Sequence, residues 1–192
     1  MNKKIVAIMG SPHLNGNIAG AIQTIINSAQ EANVVCTKYD LCELNIKNCA
    51  GCRKCVENGG ICVLQDDMKM IFEDIKTADA VIIGSPIYIH QVNGLTKTFL
   101  DRMFPLTDKE HKPRFGNKKL IMVYTYGAPI PFIFNRYIKS TGKSLKAMGL
   151  VMYKNIIING CYTIDKVKKD NTLQNKLHIF GLKLGRSLSK NL

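Results

Sequence analysis

Four cysteines within one short stretch are the side chains whose type and spacing most directly suggest chemistry. Cys49, Cys52, Cys55 and Cys62 follow the spacing C-x2-C-x2-C-x6-C. This spacing predicts a [4Fe-4S] site, because a tightly wound loop can direct three thiolates at three irons while a fourth reaches them from nearby. Zinc is one alternative, although zinc ribbons more often pair two separated C-x2-C knuckles. The second alternative is that the four cysteines bind no metal and are redox-active or purely structural thiols.

A second group of candidate residues follows the first apolar run, residues 5–9. The run IVAIM has no polar alternation, which indicates a central strand buried on both faces of a parallel sheet. Gly10, Ser11, Gly16 and Asn17 come next and lead into a helix, whose positive end and free N–H groups favour an anion such as phosphate. The spacing is neither the dinucleotide fingerprint nor the Walker lysine loop. The alternative is a structural strand-to-helix turn.

The order of the predicted elements places these groups in one fold. Apolar runs predict strands at 5–9, 33–41, 79–84, 119–125 and 151–158, and helices are predicted at 17–32, 66–77, 93–103, 132–148 and 172–188. Alternating strands and helices predict a three-layer α/β fold, a doubly wound five-stranded parallel sheet with the flavodoxin-like order 2-1-3-4-5. We expect a single domain, residues 1–192, with a cysteine-rich loop at 42–65. Residues 106–117 and 159–170 are expected to be insertions or exposed loops.

Three motifs resemble known flavin-binding proteins. GSPHLNGN at 10–17 resembles the GSPR-x-x-(S/G)-N-T phosphate loop of NAD(P)H-dependent FMN reductases, with His13 in place of Arg and Ile18 in place of Thr. SPIYI at 85–89 resembles their SP-(I/V)-Y-(W/M) loop, and the residues after it resemble their G-x-x-K-x-x-x-D-R helix, with Gly94, Lys97, Asp101 and Arg102. The cysteine stretch, with the Asp-Asp-Met that follows it at 66–68, resembles that of iron-sulfur flavoproteins.

The resemblance implies that FMN binds at the loops after strands one, three and four. The implied FMN-binding residues are Ser11, His13, Asn15, Asn17, Ile18, Pro86, Ile87, Tyr88, Ile89, Thr125, Tyr126 and Gly127. Tyr126 is bulkier than the family's small third loop and is expected to restrict the substrate side of the ring. Packing of Tyr88 and Ile89 in the core is the alternative to ring contact.

The helix after the second flavin loop is predicted to frame the site and not to supply catalytic residues. Lys97, Asp101 and Arg102 are interpreted as a helix-surface set of ion pairs that frames the site. No catalytic side chain is predicted, because a bound flavin itself carries hydride or electrons.

The amino-acid composition bears on the cellular compartment of the protein and on its binding partners. The 192 residues carry a net charge of +13, and residues 1–108 hold 10 basic and 11 acidic side chains against 17 and 3 in residues 109–192. A basic half can attract nucleic acid, an acidic partner or anionic dinucleotides, but no nucleic-acid motif accompanies it, which favours a solvated basic surface. The chain shows no run of membrane-spanning length and no cleavable leader, so we expect cytoplasmic residence. Cys36, Cys42 and Cys161 are expected to be ordinary strand or loop residues.

The sequence thus predicts a cytoplasmic FMN-dependent oxidoreductase, similar to iron-sulfur flavoproteins, that binds FMN and a [4Fe-4S] cluster. It is expected to move electrons between NAD(P)H or a ferredoxin-like donor and a small-molecule acceptor. The resemblance implies a homodimer or homotetramer. The alternatives are an NAD(P)H-dependent FMN or quinone reductase without a cluster, a non-catalytic flavodoxin-type electron carrier, and a basic nucleic-acid-binding module.

Overall fold

The computed structural model describes residues 3–189; residues 1–2 and 190–192 of the predicted domain lie outside it. The strands are β1 (Lys4–Met9), β2 (Val35–Asp40), β3 (Ala80–Tyr88), β4 (Gln91–Val92), β5 (Lys118–Thr125) and β6 (Leu150–Ile158). The α-helices are α1 (Asn17–Gln30), α2 (Lys54–Glu57), α3 (Met68–Thr77), α4 (Gly94–Asp101), α5 (Asn135–Ser144), α6 (Lys166–Lys169) and α7 (Asn171–Ser189). Single 3-10 turns occupy Leu41–Glu43, Phe104–Leu106 and Leu145–Met148. Within residues 3–189, no helix is long and apolar enough to cross a membrane.

The sheet has the predicted flavodoxin-like topology with one strand more than predicted. Its order is β2-β1-β3-β5-β6, with every neighbouring pair on this path parallel, so the five long strands follow the order 2-1-3-4-5. The sixth strand, β4, is two residues long and pairs antiparallel with the end of β3. The predicted break at residue 84 is also wrong, because Ser85 and Pro86 continue the ladder opposite Tyr124 and Thr125. The SPIY motif is therefore the end of a strand and not a loop.

Both faces of the sheet are covered, which explains the uninterrupted apolar sequence of β1. Val6 and Ile8 are fully buried among residues of α3 and α5 on one face. Ile5, Ala7 and Met9 are fully buried against α1 and α7 on the other. A strand enclosed in this way needs apolar side chains in both directions.

The helices α1 and α7 approach each other closely because glycine lies at their contact. A Cβ atom built on Gly181 would lie 2.5 Å from the carbonyl oxygen of Ile25, and one on Gly185 would lie 2.8 Å from Cβ of Ala32. The segment before α7 is also more ordered than the predicted exposed loop at 159–170. It contains α6, and its Val167 is fully buried in the same core.

We expect Gly181→Ala to lower the free energy of unfolding by about 1–3 kcal/mol, since an overpacked core costs more than the helix propensity of Ala returns. Gly94→Ala is the matched control, because a Cβ there meets no atom within 4 Å. Urea unfolding followed by far-UV circular dichroism measures both. Equal midpoints for the two variants would contradict the close contact.

Candidate functional site

A cavity of about 260 Å³ opens at the carboxyl ends of β1, β3 and β5. This is the edge of a doubly wound sheet where ligands bind, beside the reversal of strand order. Ten of the twelve predicted site residues line the cavity; Asn15 and Ile89 do not. The full lining is Ser11, His13, Gly16, Asn17, Ile18, Pro86, Ile87, Tyr88, Thr125, Tyr126, Gly127, Cys161, Tyr162, Thr163 and Ile164.

The loop between β1 and α1 brings the start of a helix to the wall of the cavity. The hydroxyl oxygen of Ser11, which is 4% exposed, accepts a hydrogen bond from the backbone N–H of His13 at 3.1 Å. The N–H of Gly16 donates to the carbonyl of His13 at 3.0 Å and closes the turn. Gly16 is the N-cap of α1 and brings no side-chain acceptor, so the first N–H groups of the helix are not capped from that residue. They lie at the wall of the cavity with the positive end of the helix dipole.

The two predicted residues at the start of α1 contribute backbone rather than side chain. The Asn17 amide nitrogen donates to the carbonyl of Thr163 at 2.6 Å, and its oxygen accepts from the N–H of Val167 at 2.8 Å. This amide therefore anchors the segment before α7. Ile18 is 1% exposed and packs in the core, so only its N–H can meet an anion.

A buried polar network that the sequence interpretation missed joins the first two flavin-type loops. The Asn93 amide nitrogen donates to the carbonyl of Gly10 at 2.6 Å, while its oxygen accepts from the Thr96 hydroxyl at 2.7 Å and from the Ser85 hydroxyl at 3.2 Å. Asn93 is also the N-cap of α4, accepting from the N–H of Thr96. The signal in the sequence was the Asn directly before Gly94, a residue type favoured at N-caps.

The turn after β3 is strained and exposed. Ile89 and His90 both have positive φ, 45° and 64°, in a two-residue connection between β3 and β4. Such turns need the left-handed region at both positions and favour Asn and Gly, so a β-branched residue there is unusual. Ile89 is 93% exposed and Tyr88 is 48% exposed, which rules out the core packing considered for them.

Tyr126 is held at its end of the cavity by neighbouring side chains and backbone. Its hydroxyl donates to the carbonyl of Pro131 at 2.7 Å. Its ring meets Phe134 edge-on at 4.7 Å, and Phe134 meets His90 edge-on at 5.1 Å. Burial raises the pKa of Tyr126, and the neighbouring Cys161 raises it further. The ring is therefore a fixed wall of the cavity.

A fourth wall comes from the loop after β6, within the segment predicted to be an exposed insertion. Residues 161–164 line the cavity, including Cys161, which was interpreted as an ordinary loop residue. The N–H of Cys161 donates to the carbonyl of Tyr126 at 2.9 Å, and the N–H of Gly160 donates to that of Ala128 at 3.1 Å. Because the carboxyl ends of all parallel strands lie at one edge of the sheet, the loop after the last predicted strand could have been placed at the cavity from the sequence.

The four cysteines of the predicted metal site lie along one segment, residues 45–65, which we call the cysteine segment. It is irregular except for α2, which contains Cys55, so the predicted loop at 42–65 holds a helical turn. Cys49 and Cys52 are exposed, and Cys55 and Cys62 are half-buried. Burial raises the pKa of the Cys55 thiol, and the neighbouring thiols of the other three raise it further. Across residues 3–189, however, no three His, Cys, Asp or Glu side chains are grouped as they would be around a metal ion.

The backbone of this segment is wound tightly between the cysteines. Gly51 and Arg53, which separate the first three cysteines, have φ of 65° and 57°. The N–H of Gly51 donates to Sγ of Cys49 at 3.4 Å. Left-handed residues and N–H···S bonds let a short loop turn its sulfurs to one side, and hydrogen bonds to sulfur also tune iron-sulfur clusters.

The predicted helix-surface set of ion pairs is wrong for Arg102. Lys97 and Asp101 do form an exposed ion pair on α4, but Arg102 is 2% exposed and turns inward at the C-cap of that helix. Its guanidinium forms a two-pronged ion pair with Asp66, at 2.5 and 3.1 Å. Burial opposes ionisation of Asp66, but the bonds from Arg102 and from backbone N–H groups hold its pKa below the usual range.

Asp66 and Asp67 also explain why α3 begins at Met68 rather than at the predicted residue 66. Asp66 accepts from the N–H of Lys47 at 2.9 Å, and Asp67 accepts from the N–H of Asn45 at 2.7 Å. Their carboxylates therefore bind the start of the cysteine segment, and Asp66 also accepts from the N–H of Met68 at 3.2 Å.

Fold and cavity together define a class, the flavodoxin-like proteins with a ligand cavity at the carboxyl ends of parallel strands. The chain belongs to the NADPH-dependent FMN reductase family, whose sequence pattern matches residues 3–130. The family inferred from the sequence motifs is thereby confirmed.

Individual relatives agree with this family. An iron-sulfur flavoprotein of Archaeoglobus fulgidus is 33% identical over 144 residues, 72% of this chain and 64% of that protein. Another, of Methanocaldococcus jannaschii, is 33% identical over 103 residues, 54% of this chain and 53% of that protein. The chain spans less than two thirds of the length of both relatives.

A solved structure shows the same fold across the whole chain. The NAD(P)H:quinone oxidoreductase from Methanothermobacter marburgensis superimposes with a TM-score of 0.72 at 15% identity, covering 98% of this chain and 100% of that one. At this identity the likeness concerns the fold alone.

We expect Asn93→Asp to lower the free energy of unfolding by about 1–3 kcal/mol, because a carboxylate oxygen would replace the amide donor that Gly10 requires. Asn48→Asp is the control, since Asn48 is exposed and the same change there should cost little. Urea unfolding measures both variants, and an undiminished midpoint for Asn93→Asp would show that the bond to Gly10 is dispensable.

Proposed function

We propose that this chain is an FMN-dependent oxidoreductase and that FMN binds in the cavity at the carboxyl edge of the sheet. The observation that carries the proposal is the meeting, at one cavity, of an uncapped helix N-terminus with the ends of β3 and β5. FMN, when bound, supplies the hydride or electron transfer. The protein contributes position, exclusion of water and hydrogen bonds.

The residues of the cavity divide the task by their chemistry. The phosphate is assigned to the N–H groups at the start of α1 and to the hydroxyl of Ser11, with the exposed ring of His13 as a further donor. Pro86, Ile87 and Tyr88 are assigned to the ribityl chain and the ring. Gly127 lines the cavity and has open space where a Cβ would be, so the ring would meet backbone there with no side chain between them.

We also propose an electron donor, an electron acceptor and an oligomeric state for this protein. NAD(P)H is the donor suggested by the family, with a ferredoxin-like protein as the alternative, and the acceptor is a small molecule. We propose a single domain over residues 1–192 that works as a homodimer or homotetramer in the cytoplasm, where thiol ligands stay reduced.

We further propose that Cys49, Cys52, Cys55 and Cys62 hold a [4Fe-4S] cluster, which would pass electrons to and from FMN when bound. Four thiols in one tightly wound segment match the donor set of such a cluster. The two relatives described above are named as iron-sulfur flavoproteins. The second candidate is an FMN or quinone reductase without a cluster, because the description of the matched family, NADPH-dependent FMN reductase, names none.

Ser11→Ala should weaken FMN about ten- to a hundredfold, because a hydrogen bond to a charged group is worth about 1.5–3 kcal/mol. Riboflavin, which lacks the phosphate, is the matched ligand and should bind the variant and the unchanged protein alike. Fluorescence titration of both flavins measures the effect. An equal loss of affinity for riboflavin would contradict the assignment of the FMN phosphate to this loop.

Protein purified without oxygen should contain one FMN and about four irons per chain, with equal acid-labile sulfide, if the cluster proposal is right. Cys55→Ala should lose the iron and keep the FMN. Cys36→Ala is the control, because Cys36 lies in β2 outside the segment and should retain both. FMN without iron in the unchanged protein selects the second candidate, and no FMN even after its addition would overturn both.

A further inference from the structure

We infer that Arg102 is a positioning residue for the proposed cluster: its buried guanidinium joins the two ends of the cysteine segment and fixes the position of Cys62. The inference rests on the proposed cluster and deepens it. Nothing in the four-cysteine pattern itself identifies this residue, which lies 40 positions after Cys62.

The contacts of Arg102 reach both ends of the segment at once. Nη1 donates to the carbonyl of Lys47 at 2.7 Å, two residues before Cys49. Nη2 donates to Sγ of Cys62 at 3.5 Å. Both nitrogens also bind Asp66, which itself accepts from the N–H of Lys47. One side chain thus holds the beginning of the segment, its last cysteine and the carboxylate that follows.

Stability alone does not account for this arrangement. The side chains of Arg102 and Asp66 are 1% and 0% exposed, and a buried ion pair generally stabilises a fold no better than apolar residues of similar size. The planar fork of arginine can serve a carbonyl, a carboxylate and a sulfur together, which the single ammonium of lysine cannot. Arg102 therefore resembles the outer-shell residues of metal sites, which hydrogen-bond a metal-binding side chain and fix its orientation without binding the metal themselves.

The charge of Arg102 has a separate consequence. Reduction of a cluster adds negative charge, and a guanidinium bonded to one ligand sulfur stabilises that charge. Removal of Arg102 should therefore make the cluster harder to reduce.

The helix that precedes Arg102 is bonded at its start to Gly10, the residue before Ser11 of the cavity. Asn93 caps the start of α4 and binds Gly10, and Arg102 caps its end and binds the cysteine segment. The eight residues of the helix span about 12 Å. Arg102 thus ties the position of Cys62 to the helix that supports the cavity.

The test compares variants after anaerobic reconstitution with FMN, ferrous iron and sulfide. Arg102→Met combined with Asp66→Asn removes both buried charges, so that neither is left unpaired. Arg102→Lys keeps the charge but loses the fork. Lys97→Met is the matched control, because it removes a cation from an exposed ion pair on the same helix. Circular dichroism, FMN per chain, iron per chain at limiting iron, and the midpoint potential by EPR titration are the readouts.

We expect the double variant to fold and to bind FMN normally while its affinity for the cluster iron falls about 10- to 100-fold. Its net charge is unchanged, because Arg102 and Asp66 are neutralised together, so the potential of the cluster that remains should become more negative through loss of the bond from Nη2 to Sγ of Cys62. Arg102→Lys should lose iron occupancy without that shift, and Lys97→Met should match the unchanged protein. The inference fails, and the proposed function stands, if the double variant keeps normal iron and potential or if Lys97→Met loses as much iron. If the unchanged protein binds FMN but takes up no iron, the cluster and the inference fail together.

Discussion

The tight meeting of β1, β3 and α4 at Gly10 is the constraint on which both sites depend. The N–H of Gly10 donates to the carbonyl of Gly84 at 2.8 Å, and any Cβ on Gly10 would lie 2.0 Å from the hydroxyl oxygen of Thr96. The carbonyl of Gly10 then needs a donor in a place closed to water, and Asn93 provides it. Because Asn93 begins α4, the same contact sets the phosphate-type loop, the end of β3 and the helix that reaches the cysteines.

The two candidate sites are held by different kinds of force. The cavity is backed by apolar layers on both faces of the sheet, and its polar network is small and buried. The cysteine segment reaches the apolar core with few side chains: Val56 is 5% exposed, and Ile46 and Cys62 are partly buried against the core. Its ends are also fixed by the carboxylates of Asp66 and Asp67 and by the guanidinium of Arg102. Between these ends the guanidinium of Arg114 donates to the carbonyl of Val56 at 2.9 Å, so polar bonds hold the middle of the segment as well.

The sequence was sufficient for what depends on apolar pattern and insufficient for what depends on contacts between distant residues. The apolar run at 5–9 gave β1 and the alternation of elements gave the strand order, because burial on two faces constrains composition directly. The end of β3 was misplaced because Ser85 and Pro86 resemble a turn until their pairing with β5 is known. Arg102 looked like a surface residue because helix spacing does not reveal that the chain turns inward at its C-cap. The wall at 161–164 was missed because the charged residues that directly follow it, from Asp165 on, made the whole segment resemble an exposed loop.

The packing of α1 against α7 has a consequence for the synthesis of this protein. Ser28 and His178, 150 residues apart, meet at 2.8 Å, and the apolar core on this face includes side chains from both helices. On the ribosome, α1 emerges long before α7 can cover it, because residues 31–170 lie between the two helices. During that interval Ile22, Ile25 and Ala29 lack the cover that α7 later provides, so the nascent chain exposes an apolar stripe to chaperones and to neighbouring chains.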